Sequence, residues 1–500
     1  MTEVILDQTP PILHGPSAKE KKYDRQLRLW AATGQKALED SHVLLLNSGS
    51  GTVGVEALKN LVLPGIGKFT IADDMIVEEV DLGMSKASPF TSEKQEKSIG
   101  ELFEHDKFTL IMYSLPIKAE NLAIVQDYTK RHKVPAISIH SAGFYSYFKI
   151  HLPGSFPIVD THPDISATTD LRLLSPWPEL SQFAEGLTEN LEDQSLHDHG
   201  HIPYVVILLH YLARWKEAHG TLPSNFKEKT AFRSTVAAGM RTDNAEGGEE
   251  NFEEAVGAVV KTISLPSLSS SVREVFGYQP DETESSTSFW VIADAIKTFH
   301  TKHNALPLPG SVPDMKAQST VYVQLQNIYK AKARQDAAEV LETVRSHPGG
   351  KDIPATEVEL FCKNAAFIKL IHGTTSASSI LEVAKAEFAN DESAALTQMP
   401  LSLLPIYLSL GATSHVNSAT ASDIVAKIGK DIPEADSNPS IVNAAEEVAR
   451  ANGGELHNIS ALTGGMVAQE VIKIITKQYI PIDNTCIFDG ITSRTQVLRT

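Results

Sequence analysis

The chain has 500 residues, with 44 Lys and Arg against 62 Asp and Glu, which gives a formal net charge of −18. With 42% hydrophobic and 21% charged residues, it has the balance of a folded globular protein. Its length exceeds what one compact core holds, which predicts about three domains or one domain with a large insertion. The acidic balance argues against general nucleic-acid binding, because phosphate backbones attract Lys and Arg.

Cysteine use and hydropathy restrict the class of protein further. The sequence has two cysteines, Cys362 and Cys486, which excludes a disulfide framework and a four-cysteine zinc site. No apolar run reaches the roughly 18 residues of a bilayer-spanning segment. The N-terminus also lacks the basic start and apolar stretch of a signal peptide. We therefore expect an intracellular protein, cytoplasmic, nuclear or both, without a membrane partner.

The first elements alternate between helix and strand. Apolar spacing predicts a partly buried helix over residues 23–37, a short strand over 42–46, a helix over 55–63 and a second strand over 68–72. A glycine-rich turn lies between the first strand and the helix, and an acidic residue ends the second strand. This order is typical of the opening of a dinucleotide-binding α/β unit.

Two further strands continue the pattern, over residues 108–112 and 134–138, with a helix between them over 119–132. The alternation predicts a Rossmann-like, mostly parallel sheet with helices on both faces. Residues 82–106 are polar and give no strand signal. Because a doubly wound sheet normally has a further helix and strand at this place, we expect an abbreviated unit.

The pattern changes to long helical periodicities in the middle of the chain. It predicts a mainly helical insertion at residues 161–445 within an α/β domain made of 1–160 and 446–500. An acidic stretch at 244–254 is expected to be a solvated loop. Near the C-terminus, a helix and a final strand are expected to return to the first sheet. The predicted helices are 205–215, 289–300, 321–344, 358–370 and 458–477, and the final strand is 485–488.

The turn after the first strand carries a nucleotide-binding pattern. Gly49, Gly51 and Gly54 have the GxGxxG spacing, and Asp73 ends the next strand. In dinucleotide-binding units such glycines allow a tight turn and a close approach of phosphate to the backbone, while the acid binds a ribose hydroxyl. The alternative is that the glycines only close the strand–helix joint. A nicotinamide-dependent oxidoreductase would use these residues, but no acid–base constellation accompanies them.

Several sequence blocks resemble the ubiquitin-activating enzyme family and its bacterial relatives MoeB and ThiF. Within that family the chain is similar to the regulatory, amyloid-precursor-binding-type subunits of heterodimeric enzymes that activate a Nedd/Rub-type modifier. The resemblance implies a ThiF/MoeB-type fold. The blocks are YDRQLRLW at 23–30, GQKAL at 34–38, LKNLVLPGIGKFTI at 58–71, HIPYVVIL at 201–208, LPGSVPDM at 308–315, YVQLQNIY at 322–329, and GG followed by AQEVIKIITK at 464–477.

The resemblance implies a chemistry that this chain does not complete. The family adenylates a modifier's C-terminal carboxylate with Mg-ATP and then transfers it to a cysteine thiol. In complete relatives, an Arg follows the ribose-binding Asp and a magnesium-binding Asp follows a later strand. Met84 and Pro116 stand at these places. The resemblance therefore implies a pseudo-adenylation domain with a vestigial, unoccupied nucleotide site, unless the alignment slips and Lys86 or Lys94 partly substitutes.

The resemblance also assigns Arg25 a role in trans. In the family, the Arg of the N-terminal Tyr-x-Arg-Gln segment reaches the nucleotide phosphates of the paired subunit, where a guanidinium binds phosphate oxygens in a forked geometry. The alternative is a surface ion pair involving Asp24 and Arg28. Cys362 and Cys486 are expected to be packed thiols, so the thioester-forming cysteine would belong to the partner.

Three histidines, His197, His199 and His201, alternate in one segment, but no accompanying carboxylate or cysteine has metal-ligand spacing, so we expect no metal site. The expected partners are a catalytic subunit, which would hold ATP and Mg²⁺, and a Nedd/Rub-type modifier. A basic partner surface is compatible with the net charge. One alternative is a scaffold or adaptor without catalytic contribution, and the other is the nicotinamide-dependent oxidoreductase.

Overall fold

A computed structural model describes residues 15, 17–47, 51–73, 98–164, 169–242, 248–264, 267–373, 379–416, 418–433 and 435–500. These residues form two compact units. One combines the described residues up to Ile158 with Ile371–Thr500, and the other is Val159–Leu370.

The strands lie in two sheets, and the larger one organises the first unit. In chain order they are β1 (His42–Leu46), β2 (Lys68–Ala72), β3 (Leu110–Ser114), β4 (Ala136–Ala142), β5 (Tyr145–His151), β6 (Ser155–Val159), β7 (Ile368–His372), β8 (Thr485–Asp489) and β9 (Arg494–Leu498). The larger sheet has the order β2-β1-β3-β4-β5-β8-β9, and β6 pairs with β7 separately. Strands β2, β1, β3 and β4 run parallel, and β5, β8 and β9 continue the sheet with antiparallel pairings. The predicted α/β class and the return of the C-terminal strand are confirmed.

The helices surround the sheet in the first unit and make up most of the second. In chain order they are α1 (Ala18–Glu39), α2 (Thr52–Val62), α3 (Ile99–His105), α4 (Ala119–His132), α5 (Pro178–Thr188), α6 (Leu196–His199), α7 (Tyr204–His219), α8 (Phe226–Ala238), α9 (Glu250–Thr262), α10 (Ser270–Gly277), α11 (Glu282–Ser285), α12 (Ser288–His303), α13 (Ser319–Ser346), α14 (Ala355–Lys363), α15 (Ile380–Thr397), α16 (Leu404–Ala412), α17 (Ala421–Ile428), α18 (Pro439–Ala451) and α19 (His457–Thr476).

Alternating side chains of the parallel strands feed two separate cores. On β1, Val43 and Leu45 point to the face covered by α2 and α19, whereas Leu44 and Leu46 point to the face covered by α4. This alternation follows from the two-residue repeat of a strand, and both faces are apolar because helices cover both. The predicted arrangement of helices on both faces is therefore present.

The chain returns to the first unit earlier than the sequence suggests. The predicted boundary at 446 is replaced by one at Ile371, so residues 371–445, expected in the helical insertion, belong with the sheet. Leu404 and Ile406 of α16 pack in one core with Tyr147 of β5 and Ile487 of β8. Helical periodicity shows that a helix has a buried face but not which core receives it, and this explains the error.

Three local predictions need correction. The helix predicted over 358–370 ends at Lys363, and strand β7 begins at Ile368 with alternating burial. The acidic stretch 244–254 is not all loop, because α9 starts at Glu250 and buries Phe252. Its early acidic residues suit the positive end of a helix dipole. In the abbreviated stretch 82–106, Ser98 caps the short helix α3, while residues 74–97 lie outside the described residues.

One described helix, α19, has the length and apolar composition of a membrane span, although no such run was expected from the sequence. Of its most apolar window, 61% is buried within the structure. Val467 and Val471 of this helix pack in one core with α2 and the sheet. Helix α19 is thus a core helix of the first unit, and the expected cytoplasmic or nuclear location stays a prediction.

Candidate functional site

The candidate site lies at the carboxyl ends of the neighbouring parallel strands β2, β1 and β3. Asn47 follows β1, Asp73 follows β2, and Ser114 ends β3. The side-chain Nδ2 of Asn47 donates to Asp73 Oδ2 at 2.8 Å, and Ser114 Oγ donates to Asn47 Oδ1 at 3.2 Å. Open α/β sheets bind ligands at this edge. Here Asn47 links the predicted ribose-binding acid to the neighbouring strand.

Two of the three motif glycines lie where helix α2 meets the sheet, and Gly49 lies outside the described residues. A Cβ at Gly54 would lie 2.7 Å from Ser114 Oγ and 2.8 Å from the Leu45 side chain. A Cβ at Gly51 would collide with the Asn47 side chain. Both glycines therefore allow a close approach of the start of α2 to the side chains of Leu45, Asn47 and Ser114, whether or not a nucleotide binds.

A carboxylate from a distant part of the chain caps the N-terminus of α2. Gly51 provides no side-chain cap. Instead, the amide of Val53 donates to Glu455 Oε2 at 2.8 Å, and the amide of Thr52 also donates to this carboxylate. Ser460 Oγ donates to the same oxygen at 2.6 Å. Burial raises the pKa of Glu455 to about 7. Two of the four orphan donors of the helix end are thus satisfied within the protein.

The arrangement does not fit a nucleotide bound in the dinucleotide-fold manner. In that manner the phosphates lie at the N-terminus of the first helix, where free amides and the helix dipole attract negative charge. In this chain the Glu455 carboxylate lies at that position, so a phosphate would meet a second negative charge. Gly51, Gly54 and Asp73 are brought together as predicted, but their role as nucleotide ligands stays a prediction.

The resemblance places Met84 and Pro116 where complete relatives have catalytic groups. The structure describes Pro116 but not Met84. Pro116 lies just beyond the end of β3, at the same sheet edge as Ser114. Its side chain carries no oxygen or nitrogen that binds a metal. Met84, and the possible substitutes Lys86 and Lys94, lie outside the described residues.

Arg25 lies on the exposed side of α1. The buried Tyr23 anchors this part of the helix, since its hydroxyl lies against Gly65, where a Cβ would approach it to 2.6 Å. Arg28 pairs with Asp24 at 3.0 Å, one helical turn apart. Arg25 does not join this pair, and it makes no hydrogen bond or ion pair with any described residue. The ion-pair alternative therefore applies to Arg28, and the Arg25 guanidinium is open to solvent.

Known proteins are similar to part of the first unit in one case and to nearly the whole chain in others. The ThiF family model matches residues 23–85. The NEDD8-activating enzyme E1 regulatory subunit of Danio rerio is 32% identical over 95% of this chain and 98% of its own length. The regulatory subunit AXR1 of Arabidopsis thaliana is 32% identical over 96% of both chains. This chain belongs to the family of NEDD8-activating enzyme E1 regulatory subunits.

Membership of the NEDD8-activating enzyme E1 regulatory subunit family confirms the resemblance read from the sequence blocks, and the nicotinamide-dependent alternative is not favoured. The Drosophila melanogaster member is 33% identical over 97% of this chain and 98% of its own length. Among solved structures, E. coli MccB with succinimide aligns over 30% of this chain and 53% of its own, at 16% identity and a TM-score of 0.23.

Neither cysteine of this family member resembles a reactive thiol. Cys362 on α14 and Cys486 on β8 are 2% and 6% exposed. Burial raises the pKa of Cys362 to about 12 and that of Cys486 to about 11. A nucleophilic cysteine needs an accessible thiolate, which requires a lowered pKa. Both residues are packed thiols, as the sequence analysis expected.

The alternating histidines have structural contacts. His199 is buried, and its Nδ1 lies 2.8 Å from Glu249 Oε1. The His197 and His201 rings stack on each other. Within the ranges that the structure describes, no group of three or more His, Cys, Asp or Glu side chains is placed to hold a metal ion.

Three members of the site, Asn47, Ser114 and Glu455, were not predicted from the sequence. Asn47 lies two residues before Gly49 of the glycine turn, and Ser114 lies two residues beyond the end of the strand predicted over 108–112, so a search for polar residues near strand ends would have found both. Glu455 has no comparable signal, because it lies 402 residues from the amide it contacts.

Proposed function

We propose that this chain is the non-catalytic regulatory subunit of a heterodimeric enzyme that activates a NEDD8-type ubiquitin-like modifier. In this proposal, a catalytic partner binds ATP and Mg²⁺, adenylates the modifier and forms the thioester, while this chain supports both steps and binds no nucleotide itself. The observation that carries the proposal is similarity over nearly the whole chain to proteins named NEDD8-activating enzyme E1 regulatory subunit.

The chemistry of the first unit supports this division of labour. Adenylation needs cationic groups at the phosphates and a carboxylate ligand for magnesium. This chain has Pro116 at the expected metal position and Glu455 at the helix end that would receive phosphate. Arg25, in contrast, is an exposed guanidinium without a partner among the described residues. The N–H groups of this guanidinium are suited to bind the phosphate oxygens of a nucleotide held by another subunit.

An exposed apolar face on α2 supports a protein partner for this unit. Val55 and Val62, seven residues apart on one side of the helix, are 41% and 37% exposed, and the adjoining Leu63 is 71% exposed. Helix α19 packs against α2 and exposes Leu462 to 48%. We call Val55, Val62 and Leu63 the α2 face. Apolar groups clustered on a surface mark protein interaction sites.

Reconstitution tests the proposed function. The chain alone is expected to show no ATP–pyrophosphate exchange, because the resemblance places Met84 and Pro116 where adenylation needs a cation and a metal ligand. Together with a NEDD8-activating catalytic subunit, it is expected to support exchange that depends on added NEDD8. Robust NEDD8-dependent exchange by the chain alone would overturn the non-catalytic assignment. Binding of the catalytic subunit without any change in its turnover would instead favour the scaffold alternative.

The double variant Val55→Glu/Val62→Glu is expected to weaken binding of the catalytic subunit at least tenfold, or about 1.4 kcal/mol, because it places two charges in an apolar contact. Surface plasmon resonance with the immobilised partner measures the change. Val260→Glu is the matched control, since Val260 is 52% exposed on α9 of the other unit. Equal losses in both variants, or unchanged binding in the double variant, would show that the α2 face does not contact the partner.

A further inference from the structure

The N-terminus of α2 is occupied by a side chain that no sequence motif explains. Glu455 Oε2 accepts hydrogen bonds from the Val53 amide at 2.8 Å and from Ser460 Oγ at 2.6 Å. The Thr52 amide donates to the same carboxylate. A phosphate bound at a helix N-terminus would use these same backbone donors. The carboxylate and a nucleotide phosphate therefore compete for one position.

Glu455 is held in place from both sides. Its backbone forms a parallel bridge with Gly143, and the Gly143 amide donates to Gly454 O at 2.9 Å. On the other side, α19 begins at His457 and packs along α2. At Gly464 of α19 a Cβ would lie 2.7 Å from the Ala57 amide nitrogen. These contacts fix the carboxylate at the end of α2.

The acid at the second strand is also engaged within the protein. Asp73 Oδ2 accepts a hydrogen bond from the side-chain Nδ2 of Asn47 at 2.8 Å, and Asn47 Oδ1 in turn accepts one from Ser114 Oγ at 3.2 Å. In a dinucleotide-binding unit, an acid at this place binds a ribose hydroxyl. Both nucleotide contacts of that fold, at the phosphate and at the ribose, thus have protein partners here.

We infer that Glu455 is an internal substitute for a nucleotide phosphate and closes this unit to nucleotides. The substitution has a simple physical basis. An empty helix end in the sheet edge would leave amides without partners, which is costly once they are removed from water. A carboxylate satisfies them and also interacts favourably with the helix dipole. The unit retains the fold of a nucleotide-binding domain because the chain itself supplies the hydrogen-bond acceptors that a ligand phosphate would offer to these amides.

This inference rests on the proposed function in one respect, namely that nucleotide is bound by the partner and not by this chain. The test uses the full chain without a partner and measures binding alone. If it fails, the exchange activity of the reconstituted enzyme and its dependence on this chain are unaffected. If the exchange experiment fails, the binding result still stands.

The experiment compares pyrophosphate and ADP binding by the wild-type chain, Glu455→Ala and Glu455→Gln, using isothermal titration calorimetry. Glu455→Ala removes the charge and opens the position, and it is expected to bind pyrophosphate at least about tenfold more tightly than wild type. Glu455→Gln keeps an acceptor for the Val53 amide but removes the repelling charge, so a smaller gain is expected. The titrations are made at pH 8, where Glu455 is ionised in the wild-type chain. Because burial raises the pKa of Glu455, removing its charge favours folding at this pH. Glu455→Gln is therefore expected to fold, and it keeps the test decisive if the Ala variant does not.

Glu447→Gln is the matched control. Glu447 also accepts a backbone hydrogen bond, from the Phe144 amide at 3.3 Å, and pairs with Arg450 at 2.6 Å, but it does not cap α2. It is expected to bind pyrophosphate no better than wild type. Two results would overturn the inference: wild-type chain that binds pyrophosphate as tightly as the Glu455 variants, or a folded Glu455→Gln variant with no gain over Glu447→Gln.

Discussion

Arg25→Ala is expected to lower NEDD8-dependent ATP–pyrophosphate exchange by the reconstituted enzyme about 100-fold or more. Removing one group that stabilises charge in a transition state typically costs this much. The loss should appear mainly in the catalytic rate if the guanidinium contacts the phosphates more strongly as charge develops. Arg25 is free for this role because α1 exposes it and no described residue binds it. Exchange at saturating ATP and NEDD8 measures the effect.

Two variants separate phosphate contact from a general effect on α1. Arg28→Ala removes a cation of the same helix that pairs with Asp24, and it is expected to leave exchange nearly unchanged. Arg25→Lys keeps the charge without the planar fork and should recover only part of the activity. Complex formation is checked by size-exclusion chromatography. If Arg25→Ala forms the complex and exchanges at the wild-type rate, Arg25 has no role in trans.

Local patterns predicted the start of the sheet well. The strands at 42–46 and 68–72 have the predicted bounds, and α4 covers 119–132 as expected. Each is a patterned segment bordered by a clear break, so its bounds follow from the local sequence. The strands near 110 and 136 lie about two residues later than predicted, which is the usual uncertainty of an element's ends.

The unit boundary could not be predicted in the same way. By their sequence, α16 and α18 do not differ from the helices of the second unit. Helix α16, for example, is apolar on nearly all sides. Only its contact with Tyr147 and Ile487 assigns it to the sheet. The deciding interaction joins residues far apart in sequence, and a local pattern contains no information about such contacts.

The site shows the same division between local and distant information. The glycine motif and Asp73 could be predicted because both belong to one continuous strand–turn–helix–strand stretch of the sequence. The structure adds that Gly54 allows close packing against Ser114 and Leu45, independent of any ligand. A glycine motif can therefore serve packing whether or not a ligand binds. The contact of Glu455 with α2 is visible only once the fold brings α18, α19 and α2 together.

Gly464→Ala is expected to destabilise the first unit by about 2 kcal/mol, through overpacking of the contact between α19 and α2. The added Cβ would lie 2.7 Å from the Ala57 amide nitrogen and 2.7 Å from the Glu56 Cβ. Because one of these atoms belongs to the backbone, relief requires movement of a helix, and the gain of about 1 kcal/mol in helix propensity does not offset it. Native-state hydrogen exchange of α2 and α19, read by mass spectrometry, measures the loss.

The neighbouring Gly465 provides a matched control within the same helix. No atom outside the local backbone lies within 4 Å of the position its Cβ would take. Gly465→Ala should therefore gain helix propensity without a clash and raise stability by up to about 1 kcal/mol. The two substitutions are chemically identical and one residue apart, so their opposite signs isolate the close approach of α19 to α2. Equal protection of α2 in both variants would show that this approach does not limit the stability of the unit that carries Arg25 and Glu455.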